Sequence, residues 1–162
     1  MVTAAPIVLP LWLQICAGLV LTLALLRIAR VDQATLRIPD TISLSLAALG
    51  LGLAALSPPP ALADRLIGAG AGFLLLAALG EGYFRWHRRE GLGLGDAKLF
   101  GAAGAWLAWQ ALPWVLLVAA VAALVWALMA ALIMRRSGPL AFGPWLALGF
   151  WVIWAGGVTG RW

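Results

Sequence analysis

Long apolar runs alternate along this chain with short stretches that carry its prolines and charges. The runs fall at residues 7–29, 41–56, 65–84, 96–112, 114–134 and 145–158. The first is apolar almost throughout and long enough to cross a bilayer, which takes roughly 20 residues as helix. The second and sixth are shorter; the second crosses if the turn before it sits among the headgroups or the bilayer thins locally. The pattern predicts an all-α, polytopic membrane bundle of about six transmembrane helices, with 1–162 a single membrane-embedded domain.

The breaks between runs have their own chemistry. Pro39 disfavours helix at Ile38, so a turn there precedes a new helix starting at Asp40 or Thr41. Residues 57–64, SPPPALAD, predict a stiff loop, because consecutive prolines cannot continue a helix. Gly68 and Gly72 stand four apart in the third run, a spacing that suits close helix contact. Gly101 and Gly104 keep one face of the fourth run thin, and Pro113 predicts a short turn between the fourth and fifth.

Composition supports lipid as the solvent: 64% of residues are hydrophobic and 10% charged. A soluble domain could not hide that much apolar surface. No Lys or Arg precedes the first run, so it lacks the basic region of a secretory signal and is read as a span. The single cysteine, Cys16, excludes an internal disulfide and a paired-cysteine zinc site, and is expected to be buried and unreactive. The single histidine, His87, beside Arg85, Arg88 and Arg89, is expected in a solvated loop, and no metal or cofactor is expected. The net charge of +5 raises nucleic acid as a partner, but basic residues clustered between spans mark cytoplasmic loops. Nine of the 11 Lys and Arg residues lie at or just beyond the ends of the first, third and fifth runs, counting Arg27 inside the first and Lys98 at the start of the fourth. Those loops are therefore expected in the cytoplasm, both termini outside, in the inner membrane. Tryptophans near the run ends, including Trp12, Trp86, Trp109, Trp114, Trp145 and Trp162, fit interfacial belts.

Candidate chemistry concentrates at residues 85–104, RWHRREGLGLGDAKLFGAAG, where a basic loop meets an apolar helix. A carboxylate at the mouth of a membrane helix is costly unless paired, solvated or used. Gly91, Gly93 and Gly95 permit positive φ and close approach of another chain. Asp96 then occupies the first helical turn, where free N–H groups favour a negative charge. A glycine loop with an Asp cap is the structural alternative at this point. The predicted topology, however, puts Asp32, at the exit of the first span, on the same membrane face as Asp96. Two carboxyl groups sharing such a site cannot both ionise cheaply, and an ionised and a neutral Asp are the base and acid of aspartic proteolysis. No Ser-His or Cys-His arrangement competes, since His87 has no nucleophile beside it.

Gly93-Leu94-Gly95-Asp96-Ala97-Lys98 matches the GxGDxK signature of the type IV prepilin leader peptidases, which are GxGD intramembrane aspartic proteases. Asp32 followed by Ile38-Pro39-Asp40 resembles the family's other half, and residues 142–149, FGPWLALG, are similar to its late FGPxLALG segment. Three separate pieces in the right order make the resemblance extend over nearly the whole chain. It implies a catalytic pair of Asp32 and Asp96. It also implies Gly93 and Gly95 beside an extended substrate, and Lys98 holding the loop or touching substrate; a lysine snorkelling to the interface is the alternative. Asp40 is the tempting neighbour. It reads well as the cap of the second helix, and the family admits Asn there, which supplies no carboxylate. The implied substrates are prepilin, pseudopilin or Flp-type pilin precursors, whose short basic leader is cut at the cytoplasmic face. Many family members carry a long insertion between the first two spans with two Cys-x-x-Cys pairs, associated with N-methylation. Here that stretch is short and lacks them, which implies a compact, peptidase-only form.

Rival readings are a GxGD protease of the presenilin or signal-peptide-peptidase kind, a small transporter relaying protons through the same aspartates, and a structural scaffold. No Pro-Ala-Leu motif of the first follows the Asp96 segment here; the tripeptide stands only at residues 60–62, ahead of it. A relay predicts carboxylates deep within spans.

Overall fold

The computed structural model describes residues 10–57, 61–88, 93–132 and 141–158. Its helices are α1 (Leu11–Thr35), α2 (Asp40–Ala55), α3 (Ala61–His87), α4 (Leu94–Leu107), α5 (Leu112–Leu132) and α6 (Gly143–Val158), with a 3-10 turn at Trp109–Ala111. No strand occurs among the described residues. Residues Leu11–Thr35, Leu62–His87 and Trp109–Leu132 are each long and apolar enough to cross a membrane. The fold is a membrane helical bundle.

The elements match the apolar runs, with four differences in their ends. α1 continues six residues beyond Ala29, to Thr35, which places Asp32 inside the helix. α3 begins at Ala61, so Ala61 to Asp64 are helical and the expected loop is shorter than residues 57–64. α4 stops at Leu107, because Ala108 takes φ 67° and ψ 173°, a conformation no helix continues. Pro113 therefore lies in the first turn of α5, where its missing N–H costs nothing. The expected start at residue 7, the proline run 58–60, Arg89, Gly91, Arg135, Arg136, Arg161 and Trp162 lie outside the described residues.

α4 is the centre of the bundle. Nine of its residues are buried, from Ala97 through Trp106, and α2, α3, α5 and α6 all pack against it. At 14 residues it is about 21 Å long, well short of a hydrocarbon core of roughly 30 Å. Because protein rather than lipid surrounds it, the mismatch exposes no backbone to hydrocarbon.

The small side chains of α4 make that burial possible. A Cβ on Gly68 would lie 2.8 Å from the Gly104 carbonyl oxygen, one on Gly72 2.9 Å from that of Phe100, and one on Gly101 3.0 Å from that of Ala69. These approaches are backbone to backbone, so the glycine pattern in α3 and α4 is a packing device. The Trp106 indole N–H donates to the Leu46 carbonyl at 2.7 Å, which ties α4 to α2 in the interior. α5 has the opposite character: Leu117, Val121, Leu124 and Leu128 all face outward, as a lipid-facing helix requires. Cys16 is also exposed, on the outer face of α1 rather than in the core, because the inward face carries Gly18, Leu21 and Leu25. His87 closes the last turn of α3 and stacks on Tyr83 at 4.3 Å, so it is helical, not a loop residue.

Candidate active site

α1 ends where Leu36 adopts the left-handed conformation, φ 54°, and its N–H returns to the Asp32 carbonyl at 2.8 Å. Pro39 follows three residues later with an extended backbone and leads straight into α2. The connection is thus four residues long, and it folds Ile38 inward, where only 9% of the residue remains exposed. Asp32 sits in the last turn of α1 and is 5% exposed; Asp32 and Ser43 are the buried polar residues among those described.

A buried carboxylate needs donors. Asp32 Oδ2 accepts the backbone N–H of Gly143 at 3.1 Å, across 111 positions of sequence. Gly143 is the first residue of α6, so the bond uses a free N–H and the positive end of that helix. A Cβ at Gly143 would lie 2.6 Å from Asp32 Oδ2 and 3.0 Å from Ile38 Cδ1. Only glycine fits there.

Asp96 is held locally. It is the third residue of α4, and its Oδ2 accepts the N–H of the capping residue Gly93 at 3.3 Å, one half of a capping box. Its other oxygen, Oδ1, is buried and has no hydrogen-bond partner among the described residues. A Cβ at the adjoining Gly95 would meet Ile38 Cβ at 2.9 Å. Ile38 therefore packs against both Gly143, the donor to Asp32, and Gly95, the neighbour of Asp96.

Of the glycines, Gly93 has φ −80° and ψ 151°, an extended backbone open to any residue, and Gly95 is inside the helix. Their value lies in closeness rather than in positive φ. Lys98 reaches across to Asp40, with Nζ 2.5 Å from Oδ2, and joins the starts of α4 and α2. Asp40 is thereby engaged by a cation at the exposed rim, its side chain 57% accessible, and is not part of the buried pair. Glu81 pairs with Arg85 one turn on at 2.7 Å. No group of three or more His, Cys, Asp or Glu that could hold a metal occurs among the described residues. Ile38 and Gly143 went without a role in the sequence reading. Both stand inside segments it singled out, and a Gly-Pro pair opening a helix was the available signal for Gly143.

A paired-carboxylate site with one unbonded oxygen can activate a water and protonate a leaving group. The type IV leader peptidase family matches residues 19–128. The prepilin leader peptidase/N-methyltransferase of Pectobacterium carotovorum subsp. carotovorum is 42% identical over 144 residues, covering 86% of this chain and 52% of the relative. The protein of that name in Escherichia coli (strain K12) is 42% identical over 125 residues, 76% of this chain and 56% of the relative. That of Aeromonas salmonicida (strain A449) is 37% identical over 150 residues, 90% and 51% respectively. The chain spans about half the length of these curated relatives. No solved structure matches significantly.

Proposed function

The chain belongs to the type IV leader peptidase family, and we propose that it is a membrane aspartic endopeptidase removing short basic leaders from prepilin-like precursors. One observation carries the mechanism: Asp32 and Asp96 come from different helices, Gly143 that binds Asp32 and Gly95 beside Asp96 both meet Ile38, and Asp96 Oδ1 is buried and unbonded among the described residues. In this reading one aspartate, ionised, takes a proton from a water that attacks the scissile carbonyl. The other, protonated, hydrogen-bonds the carbonyl oxygen, and a proton passes to the leaving amine as the peptide bond breaks. Gly93 keeps the approach to Asp96 free of a side chain, so an extended substrate backbone reaches the carboxyl, while Gly95 lets Ile38 pack close to it. Lys98 holds the rim by binding Asp40 and leaves the pair to the substrate.

The substrates are prepilins, pseudopilins or Flp-type precursors, each a basic leader joined to an apolar helix. Charge distribution supports the side of cleavage. The C-terminal parts of α1 and α3, the N-terminal part of α4 and the segments after α1, α3 and α5 hold nine of the 11 cations, which supports a cytoplasmic position for that end of the bundle. Of the relatives' double name, we assign the peptidase to this chain. The connection between α1 and α2 spans only Leu36 to Pro39 and carries no cysteine.

Cleavage of a prepilin-type precursor in membranes tests the reading. Wild type should release the leader, while Asp32→Asn and Asp96→Asn should not, at equal protein levels. Normal cleavage by either variant would remove that residue from the pair.

A further inference from the structure

A groove of about 320 Å³ between α1 and α6 ends at Ala29 and Pro144, three residues before Asp32 and one after Gly143. On α1 its wall includes Thr22, Leu25 and Ala29, which precede Asp32 by ten, seven and three residues, the helical spacing that aligns them with it. On α6 it includes Ala147, Leu148 and Trp151, four, five and eight residues beyond Gly143. The groove therefore runs along both helices away from the bond between Gly143 and Asp32. The Trp151 indole N–H donates to the Thr22 hydroxyl at 3.0 Å and ties the two walls together. From Thr22 to Asp32 is about 15 Å at the rise of an α-helix.

We propose that this groove seats the first three turns of the apolar helix that follows the scissile bond in the precursor. The inference rests on the peptidase reading and adds where the substrate's helix lies. Its register supports it: a helix in the groove has one end three residues from Asp32, so the bond before that helix is delivered to the carboxylate. Charge supports it too. No charged residue lines this groove, whereas the cavity beside the other carboxylate, formed by Leu76, Gly80, Gly93 and others, has Glu81 on its wall. A substrate that is basic before the bond and apolar after it has the same polarity. Between helices in lipid, where burial itself gives no gain, small side chains such as Ala29 and Ala147 allow the close packing that holds a partner.

Photocrosslinking of trapped substrate tests the placement. A benzophenone-bearing amino acid at Leu148, 41% exposed, is introduced into the Asp96→Asn protein and irradiated in membranes with a prepilin-type precursor. The same residue at Leu124 on the outer face of α5, 60% exposed, is the control. Crosslinks from Leu148 to the apolar half of the precursor, above those from Leu124, are expected. Equal crosslinking from both positions, with wild type cleaving the same precursor, would show that lipid fills the groove and would overturn this inference alone. Failure of wild type to cleave any leader-bearing precursor would instead remove the peptidase reading and this inference with it. As a second measurement, Ala29→Phe should lower kcat/KM about tenfold more for the full precursor than for a short peptide that spans the leader and the bond. An equal loss for both substrates counts against the groove.

Discussion

The two carboxylates are anchored by opposite means. Asp96 depends on its own helix: the N–H that holds it belongs to Gly93, three residues earlier. Asp32 depends on the tertiary fold, since its donor Gly143 lies 111 positions away and arrives only when α6 docks on α1. Burial follows the same division. Asp32 is buried with its outer oxygen bonded, while Asp96 keeps a buried oxygen without a partner. An unsatisfied buried acceptor costs about 1–3 kcal/mol, and such a cost persists where another group is meant to supply the bond. Under the proposed reading Asp96 is the member of the pair open to substrate or water, and Asp32 the one held by the fold.

The largest effect should come from removing either carboxylate. Asn retains a carbonyl oxygen that can accept the Gly143 or Gly93 N–H, so Asp32→Asn and Asp96→Asn should keep the helices docked. Loss of general acid–base catalysis should lower kcat about 10²- to 10⁴-fold. Leader release measured against time, with circular dichroism as the control for folding, checks this. Unequal variants, one inactive and one near wild type, would break the pairing of the two residues.

The anchors themselves come next. Gly143→Val places a side chain where Asp32 Oδ2 and Ile38 Cδ1 now sit, so the carboxylate must move. A displaced catalytic group costs about 10²-fold, read as kcat with α-helix content unchanged. Gly93→Pro is a milder intervention at the other anchor. Its φ of −80° suits proline, and only the N–H is removed. The expected loss is about tenfold or less, consistent with one neutral-to-charged hydrogen bond of about 1.5 kcal/mol. If Gly93→Pro proved as damaging as Gly143→Val, the distinction between a local and a tertiary anchor would collapse.

That distinction also explains what the sequence made legible. The six apolar runs, the turn at Pro39 and the first-turn position of Asp96 are local matters of hydropathy, proline geometry and capping, and they read directly. The contact of Gly68 and Gly72 with α4 was readable as a packing pattern, though not its partner. The early stop of α4 at Ala108 was hidden, because an alanine carries no breaker signal, and the residue after it is engaged from a distant helix, Trp109 donating its indole N–H to Asp64 of α3 at 3.2 Å. Gly143 as donor to Asp32, and Ile38 as the residue against both Gly143 and Gly95, were hidden for a different reason. Both are defined by which helix docks where, and no spacing along the chain encodes that.

The smallest effect belongs to Asp40, eight residues beyond Asp32 and the carboxylate easiest to mistake for a member of the pair. Its pairing with Lys98 lies at the exposed rim, with side chains 57% and 26% accessible, and rim pairs are worth about 0.2–1 kcal/mol. Asp40→Asn keeps an acceptor for the lysine, so leader release should fall no more than about fivefold. Lys98→Ala should have a similarly small effect, and the double variant should lose no more than the larger single one, since both remove the same contact. A large loss in Lys98→Ala with Asp40→Asn unaffected would give the lysine a role toward substrate beyond the rim pair. A loss in Asp40→Asn as deep as in Asp32→Asn would move Asp40 into the catalytic pair and break the comparison at its root.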